Sequence, residues 1–185
     1  MDVLLNLFTA FGLSSSAGLN AYLPLLVVAL LARYTDLITL EAPWNTMENG
    51  WVIGALAVLL LIEILVDKIP AVDTVNDTIQ TVIRPMAGAI LFAAGSGAIG
   101  EAHPALTMIA GLLVAGSMHT VKAVARPVVT TTTAGTMNPV VSAGEDVVSL
   151  VVAVLSILLP ILGLLVLLAF VIWLVRRRRR AWDTW

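Results

Sequence analysis

Glu63 lies three to four residues inside an apolar run and Asp67 follows one helical turn later, so both carboxylates fall on one face of a helix. A carboxylate in hydrocarbon is costly and usually faces a bundle interior or water, which makes Glu63 a group that could take up and release a proton. Further on, His119, Lys122 and Arg126 are spaced i, i+3 and i+7 and share a face if their helix continues. Histidine exchanges protons near neutrality, whereas snorkelling at a helix end would account equally well for the lysine and arginine. Glu145 and Asp146 place acid two turns into another run where a plain spanning helix would carry leucine. Asp73 and Asp77 share a face with Gln80 and Arg84, while Val72, Val75, Ile79 and Val82 recur at helical spacing on another. This amphipathic segment is expected to lie at the membrane interface, or else to turn its acidic face to an aqueous vestibule.

Two stretches repeat a pattern. SSSAGLNAYLP (Ser14 to Pro24) and TTTTAGTMNP (Thr130 to Pro139) each run from hydroxyls through Ala-Gly to an asparagine, Asn20 or Asn138, and then to a proline. Repeat-built transporters place broken helices at matching points of their halves, with the substrate near the break. Pro127 is expected to end or kink its helix, and the β-branched threonines after it favour non-helical backbone between Thr130 and Asn138, packed near Gly18 and Asn20. Thr131, Thr132 and Asn138 would then offer hydroxyls and carbonyls to an ion or a polar headgroup.

The elements that must carry these residues follow from composition. Of 185 residues, 59% are hydrophobic and 12% charged, against roughly 25% charged in a soluble domain. The apolar runs are continuous rather than alternating, which predicts an all-α polytopic membrane helix bundle and not a barrel. Six spans are expected, at 17–32, 51–66, 85–99, 105–121, 140–159 and 161–175. They form one transmembrane domain over 1–175, followed by a basic tail at 176–185 that holds five of the ten basic residues. With Pro160 turning a hairpin, the positive-inside rule puts that tail, Lys68, Arg84, Lys122 and Arg126 on the cytoplasmic side. The acidic loop with Asp36, Glu41 and Glu48 falls outside, together with Glu101 and His103. The absence of cysteine excludes disulfides and thiol chemistry. No basic region precedes the first apolar run, so a cleaved signal peptide is not expected.

AGLNAYLPLL, DKIPAVDTVNDTIQTVIRP, HTVKAVARP and NPVVSAGEDVVSL together resemble the bacterial membrane proteins grouped as domain of unknown function 4126, from Gly18 to about Leu150. The resemblance implies a small multi-span inner-membrane protein and brings no activity with it.

The residues themselves point first to a small transporter or channel whose path is lined by Asn20, Glu63, Asp67, Asp73, Asp77, His119, Glu145 and Asp146. Its acids outnumber its bases, and a proton or small cation is the expected species. A second class binds or flips lipid phosphates through Arg84, Lys122 and Arg126. A third is a scaffold in which polar side chains merely pair between helices. Neither histidine lies in a metalloprotease motif and no nucleophile elbow exists, so an enzyme is not expected. No cofactor, metal or nucleic acid is expected; the bilayer is the main partner, and a homo-oligomer is admitted.

Overall fold

The computed structural model describes residues 2–67 and 70–159, with side chains throughout except at 2, 70–75 and 77. The sixth span at 161–175, the turn at Pro160, the basic tail and Lys68 lie outside the described residues, as do the side chains of Asp73 and Asp77. The described chain is all α: α1 (Asp2–Leu19), α2 (Tyr22–Tyr34), a 3-10 turn (Trp44–Glu48), α3 (Gly50–Val66), α4 (Pro70–Gly95), α5 (Ala98–Ala102), α6 (Pro104–Thr133) and α7 (Asn138–Leu159). Stretches of α4, α6 and α7 are long and apolar enough to cross a membrane, and α1, α2 and α3 are shorter apolar helices.

The bundle buries polar side chains beside an apolar core of Leu13, Val28 and Leu91 and exposes many apolar ones. Its fully buried side chains include Arg84, Gln80, Asn20, Ser14, Ser16 and Ser149, while leucines, isoleucines and valines of α3, α6 and α7 face outward. That distribution suits hydrocarbon, where apolar side chains need no shelter and polar ones must find partners inside.

The helix α1 runs through the middle of the molecule. Ser14 and Gly18 meet Gly111 and Ala115 of α6, so the two helices run parallel. Against α4 it is antiparallel, Ala10 meeting Gly95 and Ser14 meeting Gly88. Against α7 it is antiparallel too, with Thr9 bonded to Ser156 and Ser16 to Ser149. Small residues permit this closeness. A Cβ added to Gly111 would stand 2.8 Å from Ala89 Cα and closer still to the Gly88 carbonyl, the interhelical approach that glycine allows in membranes.

The sequence predicts one span at 17–32; the chain instead breaks at Asn20 and Ala21 and turns back. Asn20 Oδ1 accepts from the amides of Tyr22 at 3.1 Å and Leu23 at 2.9 Å, which caps α2 and competes with helix continuation. The returning α2 pairs with α3, and the loop after it comes back beside Asn6 and Thr9 of α1. Together α1 and α2 therefore form a helical hairpin that starts and finishes at one end of the bundle, here termed the loop end. At 18 residues α1 is about 27 Å long, close to the thickness of a hydrocarbon core.

Two further expectations are corrected. The segment beginning at Pro70 is not a separate interfacial helix; it continues through Pro85 into the spanning helix α4. Its apolar residues Ile79 and Val82 are 54% and 62% exposed while Gln80 and Arg84 are buried, so the polar face is the inner one. Nor does Pro127 end its helix. The helix α6 continues to Thr133 and stops where Ala134 (φ 50°) and Gly135 (φ 78°) take left-handed backbone. Thr131 and Thr132 stay helical, their hydroxyls bonded back to the carbonyls of Pro127, Val128 and Val129. Non-helical backbone does occur at 134–137, but Gly18 and Asn20 make their contacts with Ala115, Met118 and Asp146 rather than with that turn.

Candidate functional site

Away from the loop end, four helices deliver charged side chains to one interior. Glu63, on the last turn of α3, is 2% exposed and lies 3.1 Å from Arg84 Nη2 of α4, which is itself fully buried. The other terminal nitrogen of Arg84 donates to His119 Nδ1 of α6 at 3.2 Å. Because a guanidinium can only donate, His119 Nδ1 must be an acceptor. The ring hydrogen then sits on Nε2, which is 3.1 Å from Thr81 Oγ1. The three residues expected on one face of α6 do share it: His119, Lys122 and Arg126 are buried while Val121 and Val124 point outward.

A second group lies at the end of α3 and the start of α7. Lys122 Nζ is 2.7 Å from Glu145 Oε2 and donates at 3.3 Å to the carbonyl of Leu19, at the last residue of α1. Arg126 Nη2 lies 3.3 Å from the same Glu145 oxygen and 3.8 Å from Asp67 Oδ2, and it bonds to the Ser142 hydroxyl. Ser142 in turn donates to Asp67 at 2.9 Å, and Asn76 to its other oxygen at 3.2 Å. Burial of these pairs is tolerable because each of these ions lies against an opposite charge and further hydrogen bonds satisfy most of what remains.

The hairpin tip closes the site. While its oxygen caps α2, Asn20 donates through Nδ2 to Asp146 at 2.8 Å, so one asparagine joins the break to α7. Among the described side chains the interior holds four carboxylates (Glu63, Asp67, Glu145, Asp146) and three cations (Arg84, Lys122, Arg126).

The expected residues are thus divided. Asn20, Glu63, Asp67, His119, Lys122, Arg126, Glu145 and Asp146 come together. Asn138 is buried one turn before Ser142 and accepts from Thr130 at 3.1 Å. Thr131 and Thr132 are exposed and serve their own helix. The side chains of Asp73 and Asp77 lie outside the described residues. Gln80, Thr81 and Ser142 were not expected as site residues. Gln80 could have been found from its place on the polar face that leads to Arg84, and Ser142 from its position one turn before Glu145.

At the loop end, a cavity of about 340 Å³ opens between the hairpin, the 36–48 loop and α5. Asn6, Thr9, Glu41, Trp44 and Glu101 contribute its polar and aromatic lining. Between this cavity and the charged interior stand the hydroxyls of α1, with Ser14 donating to the Gly111 carbonyl at 2.8 Å and Ser16 meeting the Ser149 hydroxyl at 2.8 Å.

No curated protein and no solved structure matches the chain. The model of one family, described as a domain of unknown function (DUF4126), matches residues 7–180. That match takes in every described helix that positions the charged interior, and this membrane protein belongs to the DUF4126 family.

Proposed function

We propose that the protein is a small integral membrane transporter that passes a proton or small cation between the cavity at the loop end and the charged interior. One observation carries the reading: seven charged side chains from α3, α4, α6 and α7 meet at the break of a helical hairpin, inside a bundle whose outer surface is apolar. Intramembrane ionisable groups are costly, and such groups commonly mark ion pathways and proton relays. Broken helices are a recurrent way to build transporter sites. In this reading the two stretches of hydroxyls, Ala-Gly, Asn and Pro are copies of one motif, each placed at a helix break. The chain sits in an inner membrane as a multi-pass protein, with Arg84, Lys122, Arg126 and the C-terminus toward the cytoplasm by the positive-inside rule.

The test is flux in reconstituted vesicles, with proton entry read by a trapped pH dye and sodium entry by radiolabelled sodium in parallel. Wild-type protein should conduct one of the two under an imposed potential, and Glu63→Gln should reduce that flux while its melting temperature stays close to wild type. A second reading, a scaffold without transport, is favoured by the closure of Lys122, Glu145, Arg126 and Asp67 on one another. Wild-type flux equal to that of protein-free vesicles for both ions would move the assignment there.

A further inference from the structure

Two side chains beside the hairpin tip are buried with an oxygen left over. Glu63 Oε2 and Gln80 Oε1 each lack a hydrogen-bond partner, although their residues are only 2% and 1% exposed. A buried acceptor without a donor costs about 1–3 kcal/mol, and native proteins keep few of them. Both atoms are acceptors, so whatever completes them brings positive charge or donated hydrogens, and an anion is excluded. A third oxygen is close by. Tyr22, the first residue of α2, interacts through its hydroxyl with the Gln80 side chain and lies within electrostatic range of Glu63.

We propose that the hairpin tip binds one monovalent cation, a sodium ion or a hydronium, among Glu63 Oε2, Gln80 Oε1 and the Tyr22 hydroxyl. Carboxylate, amide carbonyl and phenol are hard oxygen ligands that suit such an ion. The ligand set favours a monovalent ion. Among the described side chains, four carboxylates against three cations leave one negative charge in excess, which favours a cation, and a single carboxylate in the ligand set is too few for a divalent ion held by protein groups alone. The charged groups acting on Glu63 are Arg84 from α4, Asp67 from its own helix and Lys122 from α6. Arg84, 3.1 Å from the opposite carboxylate oxygen, opposes the incoming charge and keeps the ion exchangeable. A bound cation would thereby connect three elements: α2 through Tyr22, α3 through Glu63 and α4 through Gln80. The proposal deepens the transport reading by giving it a coupling ion, but binding is measured apart from flux.

The experiment is thermal melting of the full chain in detergent, with sodium chloride replaced stepwise by choline chloride at constant ionic strength, and pH varied separately in choline. The expected result is a saturable rise in melting temperature with sodium. In Glu63→Gln and in Gln80→Met the half-saturating concentration should rise on the order of tenfold, as for loss of a group that supports an ion. A pH response in choline that both variants lose, without a sodium response, identifies hydronium as the occupant. If wild type and both variants melt alike across sodium and pH, the two oxygens are merely hydrated and the proposal is overturned. Flux that fails while melting responds leaves a cation-binding protein that does not transport; the reverse outcome removes the ion site and keeps the transporter.

Discussion

Replacing Arg84 with leucine deletes a fully buried guanidinium that stands 3.1 Å from Glu63 Oε1 and 3.2 Å from His119 Nδ1. Leucine fills much of the volume, so the main effect is electrostatic: Glu63, 2% exposed, loses the cation that made its burial tolerable. At an effective dielectric of about 20, two unit charges at that separation attract by about 5 kcal/mol. Removing one partner of a buried pair typically costs about 3–5 kcal/mol, and the two figures agree. For a chain of this length that corresponds to a fall in melting temperature of roughly 6–20 °C. Substituting both partners, Glu63→Leu with Arg84→Leu, removes the uncompensated carboxylate of Glu63 and should recover most of the loss. The assay is a double-mutant cycle read by melting in detergent. An Arg84→Leu protein that melts with wild type, or a double variant less stable than Arg84→Leu alone, would refute the claim that the pair is held by mutual neutralisation in a dry interior.

Gly111→Ala should destabilise by about 1–3 kcal/mol through overpacking, since its new Cβ conflicts with the Gly88 carbonyl and Phe92. Gly144→Ala meets nothing within 4 Å and should be neutral or mildly stabilising in α7; equal losses in both, measured by melting, would remove close helix approach as the cause. Reporter fusions inserted in the 36–48 loop and in the 134–137 turn should report opposite faces of the membrane, because α3, α4 and α6 separate them by an odd number of crossings. Signals from the same face would contradict the antiparallel stacking of those helices.

Membrane class, helical fold and most of the charged interior are legible in the sequence for one reason: charge inside an apolar run has few places to go. The spacing of His119, Lys122 and Arg126 fixes a shared face without knowledge of what it touches, and Glu63 and Asp67 mark the inner face of α3 the same way. The break at Asn20 is less legible. Hydropathy alone reads 17–32 as unbroken, and the asparagine that divides it is held by Asp146, 126 residues away. The segment before Arg84 carries the periodicity of an interfacial helix, but the same periodicity suits a spanning helix with lipid outside and ions inside; the sequence pattern cannot separate them without the neighbours. At Pro127 and the threonines, helix propensities measured in water mislead, because in an apolar setting threonine hydroxyls are satisfied by the preceding turn of their own helix.

The hairpin of α1 and α2 also bears on how the protein is made. Its first arm leaves the ribosome before any helix it packs against: Ser14 awaits Gly111, Ser16 awaits Ser149 and Asn20 awaits Asp146, at separations of 97, 133 and 126 residues. At roughly 5–20 residues per second of synthesis, the asparagine waits on the order of 6–25 s for its carboxylate. During that interval two serines and an asparagine have no interior to enter, so a hairpin made before its partners must be the last to seat. An insertion pathway for this chain therefore has to hold an early, incompletely apolar hairpin at the membrane surface until the final described helix has been delivered.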